Sequence, residues 1–183
     1  MKKYMIAFLF LSLCLPASLL ASEAADKVLI VYYSQSGKNK QIAEHLHSKI
    51  QNSEIKQIKT TEQYSFVSLL IMHILREGLD IEPVNIDGFD TVIICTPIWL
   101  QMLALPTKVF IEESDFKGKE VYVFITCGGF YGFYGSLREW ISEQNAEVKD
   151  VYVVKVGGKK DEEVKKEASD RLKNTDLFVK NIR

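Results

Sequence analysis

Cysteine is scarce in this chain. Its 183 residues hold three, and Cys14 sits in the apolar N-terminal stretch. Cys95 and Cys127 alone do not make a disulfide scaffold. A redox disulfide between them is the lesser reading, because buried thiols are common in apolar strands. Charge of one sign is also scarce. The net charge is −1 and no long basic run occurs, which excludes a nucleic-acid binder. The three histidines, His45, His47 and His73, fall in helical stretches. His45 and His47 are two apart and share no helical face, so no metal site is expected and solvated surface is. Ser36 has no His–Asp set at a suitable position, which leaves a hydrolase without a triad. No repeat, linker or low-complexity segment divides the chain.

With 47% hydrophobic residues, the chain has enough apolar surface for one domain with a full core. Its N-terminus reads separately. Lys2 and Lys3 precede the apolar run Tyr4 to Leu20, and the small residues Ala21, Ser22, Ala24 and Ala25 follow. This is the layout of a secretory signal peptide, with cleavage after Ala24 and Ala21 as the runner-up. A retained anchor is the alternative, since the run is near the lower length limit for spanning. Leu13 before Cys14 argues against lipidation. Residues 1–24 are therefore read as leader and 25–183 as one domain, exported to the periplasm or beyond the cell and, with a retained anchor, membrane-associated.

From Lys27 the pattern alternates. Apolar, β-branched runs at Lys27–Tyr33, Thr91–Cys95, Glu120–Thr126 and Asp150–Val156, and the short alternating stretch Glu54–Ile58, read as strands. Helical patterns at Lys38–Ile50, Pro106–Glu113, Gly135–Gln144 and Asp161–Val179 separate or follow them. Strands apolar on both faces, alternating with helices, predict an α/β fold: a doubly wound, five-stranded parallel sheet of order 2-1-3-4-5. Ligands in such sheets sit at the carboxyl ends of strands one and three, where the winding reverses.

Three loops converge there, and their contents agree. The first is Ser34-Gln35-Ser36-Gly37-Lys38-Asn39, between a strand and a helix start. Hydroxyls, a glycine and the unpaired N–H groups of a helix N-terminus suit an anion, and a phosphate monoester is the natural occupant. No Gly-Lys-Ser/Thr closes the loop, so it is not a Walker A loop, and the three glycines of a dinucleotide fingerprint are missing. The second loop, Thr96-Pro97-Ile98-Trp99 through Leu103, offers Trp99 to stack on a flat ring. The third, Thr126-Cys127-Gly128-Gly129 through Gly135, offers glycine amides to a ligand edge and Tyr131 or Tyr134 to cover a face. A phospho-acceptor receiver domain shares this topology, but its acidic pocket is missing: the strands end in Tyr33-Ser34 and Cys95-Thr96.

On these residues, Tyr33 to Asn39, Thr96 to Trp99 with Pro106 and Phe110, and Thr126 to Gly129, the chain resembles flavodoxin-like FMN proteins. It is most similar to bacterial flavodoxin-domain proteins outside the small electron shuttles. The resemblance covers essentially all of the chain after the leader. It implies FMN, with its phosphate on Ser34, Gln35, Ser36, Gly37, Lys38 and Asn39. It implies the isoalloxazine against Thr96, Pro97, Ile98, Trp99, Thr126, Cys127, Gly128, Gly129 and Tyr131. That family's phosphate loop usually ends in Thr where this chain has Asn39, which implies weaker binding. The family's shuttles ring the flavin with carboxylates and dock on basic partners. Neither Thr96–Leu103 nor Thr126–Leu137 contains an acid.

The segment Phe66 to Leu75 is apolar nearly all round. It reads either as a helix packed over the sheet edge or as one with an uncovered side. The expected function is an exported FMN-binding redox protein whose partner is a small apolar molecule such as a quinone, or a membrane component. A homodimer is an alternative use of the same surface. An FMN-free binding module and a membrane-associated interaction protein are the competing functions.

Overall fold

The computed structural model describes residues 26–129 and 134–173. The expected leader, Phe130, Tyr131 and the expected end of the C-terminal helix beyond residue 173 lie outside the described residues, as does the side chain of Tyr134.

Strand β1 (Val28–Tyr32) is buried along its whole length, as a central parallel strand must be. It lies between β2 (Ser53–Gln57) and β3 (Thr91–Trp99). Beyond β3 come β5 (Glu120–Cys127) and β6 (Glu147–Lys155), both parallel. The order is β2-β1-β3-β5-β6, which is the expected 2-1-3-4-5 once the short β4 (Met102–Leu103) is numbered in sequence. The edge strand β2 is only partly buried, and its polar residues follow from that position.

Helices cover both faces. On one, α1 (Lys38–His47) and α5 (Asp161–Leu172) bury Ile42, Ala43, Leu46, Val164, Ala168 and Leu172 against Val28, Ile30, Ile93 and Phe124. On the other, α2 (Phe66–Leu75), α3 (Leu105–Glu113) and α4 (Tyr134–Ser142) cover Leu29, Val31, Val92, Ile94 and Val123. Leu69, Phe110, Ile111 and Ile141 supply the helix side of that layer. Among the described residues, no helix is long and apolar enough to cross a membrane.

Three features correct or sharpen the sequence reading. First, the stretch after Cys95 is not a loop. Strand β3 runs on to Trp99, and Ile98 and Trp99 pair back with Leu103 and Met102. Leu100 and Gln101 make the turn, with φ of 46° and 67°. Two successive left-handed residues are the conformation of a tight hairpin turn that matches strand twist. Asn-Gly would have announced it; Leu-Gln does not.

Second, of the two readings of Phe66–Leu75 the structure shows the one with an uncovered side: α2 lies in the crossover from β2 to β3 and buries a single residue. Around the helix the chain is tied by the Thr60–Ile81 bridge and by Thr61 N–H to Asp80 C=O at 3.1 Å. Of the helical residues only Leu69 is buried, while Phe66, Val67, Ile71, Ile74 and Leu75 are exposed.

Third, the histidines are not uniformly solvated. His45 is half-buried on Ser169 of α5 and His73 is half-buried, and burial holds both below the ordinary imidazole range. Element ends also shift: α1 stops at His47 rather than Ile50, and β6 begins at Glu147 rather than Asp150.

Candidate functional site

The first loop leaves β1 at Tyr33, whose N–H donates to Cys95 C=O at 3.0 Å and so locks the loop to the end of β3. Burial pushes the Tyr33 phenol up to about 12, while a hydrogen bond to the Gln35 side chain acts in the opposite direction. Gly37 is the N-cap of α1 at φ 82°. That conformation favours glycine, and glycine brings no capping side chain. The first N–H groups of α1 therefore face the loop without a side-chain acceptor. A Cβ placed on Gly37 would meet nothing within 4 Å, so the space over the loop is open. The Ser34 hydroxyl oxygen is shielded from solvent and has no hydrogen-bond partner among the described residues. Gln35 and Ser36 are exposed.

Asn39, only 2% exposed, donates from Nδ2 to Thr126 Oγ1 at 2.9 Å. This bond ties the first turn of α1 to the end of β5 and brings the first and third loops together. Thr96 makes the equivalent tie between β3 and α3, donating to Thr107 Oγ1 at 2.8 Å. Asn39, Thr96 and Thr126 thus position the loops through bonds within the protein. Lys38 also turns away from the loop, and its ammonium donates to Asp161 at the start of α5.

A cavity of about 470 Å³ opens at the same edge, lined by Ile98, Leu100, Gln101, Cys127, Gly128 and Gly129. Its size suits a planar ring system, and none of its lining residues is charged. Gly128 and Gly129 are exposed, so their backbone groups are within reach of a ligand edge. Leu100, 69% exposed, stands at the mouth. Cys127 is a buried free thiol at the cavity wall. Cys95 is also free and buried, packed on the opposite, α1/α5 side, and loss of solvation pushes its thiol up.

Trp99 is not among the cavity-lining residues. Its ring is 9% exposed and edge-on to Tyr33 at 5.8 Å and to Phe66 at 5.0 Å. The extension of β3 carries it into the core beneath α2, where it roots that helix. Pro97 lies within β3, half-buried, and its carbonyl accepts from Ala104 N–H at 3.2 Å. Sequence reasoning gave no role to Gln101, or to Gly157 just after β6. A Cβ on Gly157 would stand 2.2 Å from the Gly128 carbonyl oxygen. Only a glycine lets that backbone press on the third loop, and the Gly157-Gly158 pair was the available signal.

Among the described residues, no group of three His, Cys, Asp or Glu side chains gathers to hold a metal. The site does fit a ligand with a phosphate at one end and a flat ring at the other. The unpartnered Ser34 hydroxyl and the uncapped start of α1 serve the first, and the uncharged cavity serves the second.

The comparisons with known proteins agree with this geometry. Residues 27–147 match a family model described as Flavodoxin. A flavoprotein from Lactobacillus acidophilus NCFM, solved in complex with FMN, is 25% identical with a TM-score of 0.59, covering 70% of this chain and 93% of that one. The apo-form of the flavoprotein from that organism is 26% identical with a TM-score of 0.58, over 70% of this chain and 92% of that one. Oxidised Flavodoxin 2 from Bacillus cereus shares the fold at 20% identity and a TM-score of 0.52, over 84% and 97% of the two chains. No curated protein matches the chain.

Proposed function

Since this chain belongs to the flavodoxin family, we propose that it binds FMN at the carboxyl edge of its sheet and serves as a redox protein. The observation that carries this reading is the unpartnered Ser34 hydroxyl beside the open, uncapped start of α1, on the same edge as the uncharged cavity. When bound, FMN supplies the electron-carrying ring. Ser34, Ser36 and the N–H groups after Gly37 hold the phosphate. Ile98 and Leu100 flank the ring, and Gly128 and Gly129 offer backbone N–H groups to its polar edge. Gln101 is placed to add a side-chain amide. Asn39 holds the first and third loops in register through Thr126.

The acceptor in this reading is small and apolar, with a quinone the natural class. Among the described residues no carboxylate lines the cavity, and Leu100 is exposed at its mouth. Acidic charge would be needed to steer a basic protein partner. The uncovered face of α2 offers the same chemistry to a membrane component or to a second copy of the chain. Export rests on Lys2, Lys3, the apolar run after them and the small residues that close it.

Titration of the purified protein with FMN and riboflavin tests the binding. FMN binds more tightly, and Ser34→Ala weakens FMN by about tenfold, roughly one charge-assisted hydrogen bond, while sparing riboflavin. The free Ser34→Ala protein keeps its melting temperature, because the lost hydroxyl has no partner to abandon. Equal affinity for the two flavins, or no flavin spectrum after FMN addition, removes the proposal. For the acceptor, reoxidation of the chemically reduced protein by a short-chain quinone is fast and insensitive to salt. A rate that favours a basic cytochrome and falls steeply with salt overturns the quinone reading.

A further inference from the structure

Lys38 is the one cation in the Ser34–Asn39 loop, and it directly follows the glycine that opens α1. A lysine there is placed to meet a phosphate. The structure directs it elsewhere. Lys38 Nζ donates to Asp161 Oδ1, and Gln41 Nε2 donates to Asp161 Oδ2 at 2.8 Å. Both carboxylate oxygens are thus engaged by α1. Asp161 is the first residue of α5, where the helix dipole favours a carboxylate. The Lys160 N–H donates to Glu163 Oε2 at 2.8 Å and fixes that turn. The Lys38 hydrogen bond, and then that of Gln41, hold the Asp161 carboxyl below its usual range. The Lys38 side chain is only 25% exposed.

We infer that Asp161 withholds the Lys38 ammonium from the flavin phosphate, so that uncharged donors alone hold the anion and its affinity stays below what the loop allows. This rests on the FMN reading above. A lysine released onto a phosphate makes a charge-assisted bond, roughly twice as strong as a neutral one. A lysine already paired with a carboxylate brings no net charge. Drawing it away would also strip Asp161 of a partner beside a bound anion. The pair therefore ties α1 to α5 and at the same time caps the affinity of the phosphate end. Asp161 is a positioning residue that acts through Lys38, outside the loop that contacts the ligand.

The test is a titration of the full chain with FMN and with riboflavin at low and high salt, in three variants beside the native protein. Asp161→Asn frees Lys38 and tightens FMN by about tenfold at low ionic strength. The gain shrinks as salt rises, and riboflavin affinity stays unchanged. The double variant Lys38→Met/Asp161→Asn removes both charges of the pair and returns FMN affinity to within about threefold of the native protein, because the gain needs the freed ammonium. Gln41→Leu removes the second tie but keeps the ion pair, and leaves FMN affinity as it was. The inference is overturned if Asp161→Asn weakens FMN, or shifts FMN and riboflavin alike. It also falls if the double variant keeps the tenfold gain, or if Gln41→Leu reproduces Asp161→Asn, since the effect is then not the lysine's. A native protein that does not prefer FMN over riboflavin defeats the flavin reading itself. A native preference with no gain in Asp161→Asn defeats only this inference.

Discussion

Beside α1, the carboxyl edge of the sheet keeps polar groups unengaged: the Ser34 hydroxyl has no partner and α1 starts on a glycine that cannot cap it. Beside α2, the end of β3 is packed away. Trp99 is wedged between Tyr33 and Phe66, Leu103 is buried, and Leu100 and Gln101 make a tight turn. Both regions follow central parallel strands, β3 running on past the level where β1 stops, and both look like loops in the sequence. They differ in what the next segment does. After β1 the chain enters a helix at once, leaving N–H groups that the fold cannot satisfy. After β3 it doubles back as a hairpin, satisfies its own backbone and turns its largest side chain inward. Binding capacity at the first end comes from unmet hydrogen-bonding demand, and at the second from a cavity shaped by packed residues.

Trp99 offers the strongest way to break this comparison. As a core side chain its loss leaves a large cavity, and Trp99→Ala lowers stability by about 3 kcal/mol or more. Denaturant unfolding of the free protein measures it. If stability holds and only flavin binding is lost, Trp99 is a ring wall after all and the two ends are alike.

Gly157 sharpens the contrast from the side of the third loop. A Cβ 2.2 Å from the Gly128 carbonyl forces backbone to move, and Gly157→Ala costs about 2 kcal/mol. The displaced Gly128–Gly129 segment weakens riboflavin and FMN alike, whereas Ser34→Ala affects FMN alone. Thermal melts and paired titrations separate these effects. A Gly157→Ala protein with native stability shows that the third loop is not held by that contact.

The smallest expected effect lies in the hairpin. Leu100 and Gln101 both have positive φ, a strained arrangement for such side chains. Replacing the pair by Asn-Gly suits the turn and raises stability by about 1 kcal/mol. Because Leu100 flanks the ring at the cavity mouth and Gln101 offers it an amide, the same change weakens FMN and riboflavin alike by a few-fold and slows reoxidation by an apolar acceptor. Unchanged affinity for both flavins would place the pair at the rim rather than on the ring.

The fold was legible because burial on both faces leaves a mark in composition. Val28–Tyr32, Val92–Cys95 and Val121–Ile125 are unbroken apolar runs, as a central parallel strand needs. The strand order followed from the alternation, and the meeting of three loops at one edge followed from the order. The Ser-Gln-Ser-Gly chemistry of the first loop is local: a strand, a glycine and a helix start suffice to create it. Tertiary structure alone decided where polar and aromatic groups point. Asn39 reaches Thr126, 87 residues away, and Lys38 reaches Asp161, 123 residues away. Trp99 turns into the core because a Leu-Gln turn with no sequence signature reverses the chain beyond it. Gly157 is indispensable only because the backbone of Gly128 lies against it. Periodicity reports which face of an element is buried, because burial repeats along it; a partner brought from a distant segment leaves no such repeat.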